Sequence, residues 1–80
     1  MNEQLIPLFG QTIRNIRLDK HISQEKFADI CGLHRTYVSD VELGKRNVSL
    51  ENIGKMAEAL DISISDLFRK VEENDSIWGI

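Results

Sequence analysis

Residues 24–43 read QEKFADICGLHRTYVSDVEL, and four positions in that stretch leave the chain little choice of shape. They are small Ala28, then Gly32, then the β-branched pair Val38 and Val41. Two helices that cross at about 90–120° through a turn of about three or four residues need a small side chain where the backbones approach, and Ala28 supplies it. The turn needs one residue that tolerates positive φ, and Gly32 carries no Cβ to oppose it. Val38 and Val41 are three apart, so they face one way and wedge the later helix against its neighbours. The opposite face is left with Arg35, Thr36, Ser39 and Asp40, with Tyr37 at its edge. The result is a short polar face on a rigid support.

The remaining sequence reads as helix. Five glycines and one proline are too few for an all-β chain, and no alternation of period two outlasts ISIS at 62–65. Ile6, Phe9, Ile13 and Ile16 recur at helical spacing and predict a first helix over 4–20, with Pro7 in its first two turns, where a missing N–H matters least. Ser23 caps a second helix over 24–31, whose apolar face is Phe27, Ala28 and Cys31, and Gly32 ends it. A third helix over 35–43 has Tyr37, Val38 and Val41 as inward positions and Gly44 behind it. Ser49 caps a fourth over 50–60, with Leu50, Ile53, Met56, Ala57 and Leu60 on one face. Ser63 or Ser65 caps a fifth over 65–73, and residues 74–80, Trp78 among them, read as a tail. The expectation is an all-α, compact five-helix domain over residues 1–73, followed by that tail.

Charge and inventory narrow the function. Eighty residues allow one domain, and the net charge of −3 argues against a protein that coats nucleic acid by bulk positive charge. The distribution is uneven: residues 11–46 carry seven basic side chains against five acidic, whereas 47–80 carry three against seven. The first half can meet an anion that the second half would repel. Cys31 has no partner for an internal disulfide, and with His21 and His34 it cannot complete a four-ligand zinc site. Cys31 reads as a small buried hydrophobe and His34 as a cap or turn residue. Neither histidine has a visible nucleophile or orienting carboxylate, and no glycine-rich phosphate loop exists, so an enzyme is not expected and no cofactor is implied. The opening MNEQLIPLFG lacks the basic flank and cleavage site of a signal peptide, and no apolar run is long enough to span a bilayer. A cytoplasmic protein with no membrane partner is expected.

Ala28, Gly32, Val38 and Val41 at their spacings resemble the phage-repressor-like (Cro or XRE-type) helix-turn-helix regulators over about residues 9–70. RTYVSDVELGKRN at 35–47, followed by a capped amphipathic helix, is most similar to the controller proteins of restriction-modification systems within that family. One departure is Leu43, at a place where many relatives carry a basic residue.

The resemblance implies a lambda-repressor-like DNA-binding domain with its helix-turn-helix in helices 2 and 3, acting as a homodimer on a palindromic operator in double-stranded DNA. Carried over by position, Arg35 is the candidate for bidentate recognition of guanine, with Thr36 and Ser39 as further base contacts. Gln24, Tyr37, Lys45, Arg46 and Asn47 are candidates for the sugar-phosphate backbone. Arg17 and Glu42 would pair across helices 1 and 3 as scaffold. Ile62, Ile64, Leu67 and Phe68 exceed what one thin helix needs for a core and are candidates for the dimer interface, as is Val71; closing the monomer core is the alternative. RNA polymerase is a further candidate partner, through acidic Glu25, Asp40 or Glu42. Two other readings stay open: a generic XRE-type repressor, and an antitoxin-like interaction module that keeps the fold without DNA.

Overall fold

Serine hydroxyls start three of the helices. The side-chain oxygens of Ser23, Ser49 and Ser63 accept the backbone N–H groups of Lys26, Asn52 and Asp66 at 3.0, 3.1 and 3.1 Å. Each bond satisfies a donor that the first turn leaves without an intrahelical partner, and such a cap contributes about 1 kcal/mol. The computed structural model describes the backbone of residues 2–78 and the side chains of residues 4–74. Five helices follow in order: α1 (Asn2–Asp19), α2 (Gln24–Cys31), α3 (Arg35–Glu42), α4 (Leu50–Ala59) and α5 (Ile64–Trp78). No strand occurs among the described residues.

The helices stop as their sequence directs. Gly32 takes φ 71°, its N–H and that of Leu33 returning to the carbonyls of Asp29 and Ala28, and Gly44 closes α3 in the same way at φ 76°. At the ends of α1 and α4 the same left-handed position is filled by His21 and Asp61, at φ 58° and 56°. The largest departure from expectation is α5, which Ser63 rather than Ser65 caps and which continues past 73 to Trp78. Residues 74–78 contain no glycine or proline to stop it, and Asn74 Nδ2 donates to Thr12 Oγ1 at 2.7 Å, tying the helix to α1. The side chain of Trp78 and residues 79–80 lie outside the described residues.

α1 runs through the middle, packed against α3 on one side and α5 on the other, while α2 packs on α3 and α4. Ile13, Phe27, Val38, Met56, Leu60, Leu67 and Val71 are wholly buried, with Val41 almost so. Two expectations fail here. Leu50, placed on the inward face of the fourth helix, is 77% exposed, because it is the first residue after the Ser49 cap and that turn faces outward. Leu67, a candidate for the dimer interface, is 0% exposed and closes the core between α5 and its neighbours, as does Val71. Burial leaves neither side chain any surface to offer a second copy.

Gly10 gives α1 its approach to α3. A Cβ at this position would lie 2.0 Å from the carbonyl oxygen of Val41, a distance no side chain can occupy. A glycine inside a helix costs about 1 kcal/mol relative to alanine. Here that cost is the condition for seating α1 against the C-terminal end of α3.

Candidate nucleic-acid interface

α3 has eight residues, and its two faces divide by chemistry. Val38 and Val41 are buried, Arg35 and Thr36 are exposed, and Ser39 and Asp40 are half-buried at the boundary. Gln24, from the first turn of α2, joins Arg35, Thr36 and Ser39 around one shallow recess. The three base-contact candidates and one backbone candidate are therefore brought together across the turn between α2 and α3. His34 occupies the N-cap position of α3 but makes no side-chain cap hydrogen bond.

The remaining backbone candidates form a second group. Tyr37 is half-buried against the core, and its hydroxyl accepts a hydrogen bond from Asn52 Nδ2 on α4 at 3.1 Å. The Arg46 guanidinium lies over the Tyr37 ring, 5.4 Å from its centroid, and Arg46 Nε sits 3.6 Å from Asp40 Oδ2. Arg46 thus rests over the rim of α3 with about half of its side chain still exposed. Lys45 and Asn47 are exposed on either side of it. Arg46 and Asn47 also edge an apolar groove floored by Phe9, Ile53 and Phe68.

Beneath both groups lies a buried polar clamp. Arg17 Nε and Nη2 donate to Glu42 Oε2 and Oε1 at 2.7 and 3.0 Å, and Arg17 Nη1 donates to the Ile22 carbonyl at 2.8 Å. Gln24 Nε2 donates to Glu42 Oε1 at 2.9 Å. Arg17 and Glu42 are 6% and 7% exposed, so the pair is desolvated and its parallel N–H···O bonds are little screened by water. Among the described residues no buried side-chain nitrogen or oxygen lacks a hydrogen bond. The clamp joins the end of α1, the start of α2 and the end of α3, so it fixes the angle at which α3 presents its polar face. Its burial also removes Glu42 from the acidic residues available to a polymerase.

Two links here were invisible in the sequence. Gln24, expected to face a phosphate, gives one N–H to Glu42 and keeps its second for another acceptor. Asn52 was not singled out at all, since an asparagine three residues after a capping serine is unremarkable until Tyr37 is seen above it. Cys31 lies on the buried side of α2, where burial pushes its thiol up to about 11 against a smaller opposing pull from Lys55. Among the described residues no cluster of histidine, cysteine and carboxylate is placed to hold a metal ion, and no helix is long and apolar enough to cross a membrane.

Of the interface candidates other than Leu67, Ile64 is 47% exposed, Ile62 is half-buried, and Phe68 is half-buried with its ring stacked on Phe9 at 5.7 Å between centroids.

Comparison with known proteins places this geometry in a family. A helix-turn-helix family model matches residues 13–67. The control protein C.BamHI of Bacillus amyloliquefaciens is 54% identical over 68 residues, which cover 84% of each chain. The crystal structure of the restriction-modification controller protein C.AhdI from Aeromonas hydrophila superimposes with a TM-score of 0.77 at 52% identity, covering 82% of this chain and 98% of that one. The controller protein C.Esp1396I, solved as a tetramer in complex with its natural 35-base-pair operator, superimposes with a TM-score of 0.83 at 28% identity, covering 88% of this chain and 92% of its own. With α2 packed on α3 through the Gly32 turn, the polar outer face of α3 and matches over most of both chains, this protein belongs to the Cro/XRE-type helix-turn-helix family and, within it, to the restriction-modification controller proteins.

Proposed function

We propose that this protein regulates transcription by binding a palindromic operator as a homodimer, with α3 of each copy in the major groove. The observation that carries the reading is the polar face of exposed Arg35 and Thr36 with half-buried Ser39, on a helix tied to α1 and α2 by the buried Arg17–Glu42 pair and by Gln24. Arg35 has the fork of donors that matches guanine O6 and N7, while Thr36 and Ser39 can reach neighbouring base edges. Gln24, Tyr37, Lys45, Arg46 and Asn47 hold the register through phosphates. One short helix offers few contacts, so two copies on one two-fold body are needed for specific affinity, their reading helices about 34 Å apart. Ile64, with Ile62 and Phe68 beside it, is the apolar patch for that contact, on the half of the chain whose acidic surplus suits a surface held away from phosphate. A contact to RNA polymerase would fall to exposed Glu25, or to Asp40 once Arg46 turns to DNA.

Protection mapping on the DNA upstream of its own gene tests the reading. A two-fold footprint, lost with shuffled sequence and with a binding constant whose logarithm falls linearly with the logarithm of salt, is the expected result. No protection of either duplex would turn the assignment toward an interaction module, and equal protection of both would remove sequence specificity.

A further inference from the structure

We infer that Asn52 is a positioning residue for Tyr37, setting the direction of the hydrogen bond that the phenol offers to DNA. The inference rests on the reading of α3 as the DNA-contacting helix and goes beyond it, because Asn52 lies on α4.

A phenol oxygen can accept and donate, but it has one proton. The Asn52 amide nitrogen can only donate, so at 3.1 Å it fills an acceptor site on Tyr37 Oη and leaves the phenolic proton for a different partner. Phosphate oxygens are acceptors without protons, so a hydroxyl with its proton turned outward is matched to them. A hydroxyl that is already accepting a hydrogen bond is also a polarised, stronger donor. An acceptor in place of Asn52 would reverse the arrangement and draw the proton inward.

The surroundings hold both ends of this bond. Asn52 is the third residue of α4, and its own backbone N–H is fixed by the Ser49 hydroxyl at 3.1 Å. Tyr37 is held by the core on one side and by Arg46 over its ring, with Arg46 in turn beside Asp40. The cap residue before α4 thereby fixes the backbone of the residue that bonds to a side chain on α3.

The experiment measures binding to a fluorescent duplex carrying the DNA upstream of the protein's own gene, with a shuffled duplex as control. Asn52→Leu removes the donor while keeping the branched shape and the number of side-chain heavy atoms, and Asn52→Asp replaces it with an acceptor at a helix position where an acid suits the dipole. Each is made in the parent and in Tyr37→Phe. In the parent, Asn52→Leu should weaken operator binding about fivefold, the effect of one lost hydrogen bond, and Asn52→Asp more. In the Tyr37→Phe background the effect of Asn52→Leu should vanish, and Asn52→Asp should keep only the smaller loss due to its charge. Equal losses in both backgrounds, or no loss in the parent, would overturn the positioning role. Arg35→Ala separates the two levels: if it leaves operator preference intact, the DNA-contacting reading of α3 has failed, whereas a loss with Arg35→Ala but none with Asn52→Leu sinks only this inference.

Discussion

α1 is held on its two sides by different physics. Toward α3 it meets a backbone carbonyl at the site of a missing Cβ and closes a desolvated ion pair, both of which demand one geometry. Toward α5 it meets the Phe9–Phe68 stack and the buried side that carries Leu67 and Val71, apolar contacts that reward burial in many arrangements, with the Thr12–Asn74 bond as a directional tie. The difference teaches where orientation is specified and where stability is supplied. α3 is oriented by contacts that cannot slide, and the core behind it is filled by contacts that can.

The largest effect should come from Gly10→Ala. The added methyl would overlap the Val41 carbonyl, and α1 would have to leave α3. A chain of this length is stable by roughly 4–12 kcal/mol, so a loss above about 3 kcal/mol from so rigid a clash would take much of it. Thermal melting measures it; a drop of only a few degrees would show that the two helices can part without loss.

Next is Glu42→Ala, which strands Arg17 in a buried site and should destabilise by about 3–5 kcal/mol in denaturant titration. The sharper form replaces both partners, Arg17→Met with Glu42→Leu. This pair should recover most of the stability, since buried ion pairs are often exchanged for apolar residues at little cost, yet it should still reduce preference for operator over shuffled DNA. Full preference in the double variant would mean that the clamp does not aim α3.

Arg35→Ala lies outside both contacts of α1 and should leave melting unchanged. Operator binding should weaken by about 1–3 kcal/mol per half-site, measured by titration. On the α5 side, Asn74→Ala should cost about 1 kcal/mol in stability with operator preference unaltered. A change of preference there would contradict the division between aiming and filling.

The smallest effect at neutral pH concerns Cys31. Its thiol titrates near 11 in the folded protein and near 9 when unfolded, so above the lower value the unfolded chain binds fewer protons than the folded one. Stability is therefore unaffected below pH 9 and is lost as pH rises toward 11. Chemical denaturation of Cys31→Ala across that window should show a shallower loss than the parent.

Much of this was legible in the chain. The serine caps and glycine stops follow from local rules, and so do the helices they bound. The exposure of Arg35 and Thr36 followed from the places of Val38 and Val41, because a helix buried on one side must show the other. Gly10 was not legible, since a helical glycine announces a weakness without saying which backbone requires it. The end of α5 was missed because the polar run after Val71 resembles a tail, and only the bond from Asn74 to Thr12, sixty-two residues away, shows why the helix continues. Leu67 and Phe68 sit side by side in sequence and could be sorted into core and rim only by the direction of α5.

The clamp also bears on temperature. As a solution warms, the penalty for removing charged groups from water falls, while hydrophobic stabilisation per unit area levels off. The Arg17–Glu42 pair therefore gains on the apolar core as the chain approaches its melting point. The ratio of operator to random-sequence affinity should stay nearly flat with temperature while overall stability declines, and then disappear with the whole domain at once. Selectivity and fold should therefore be lost in one transition.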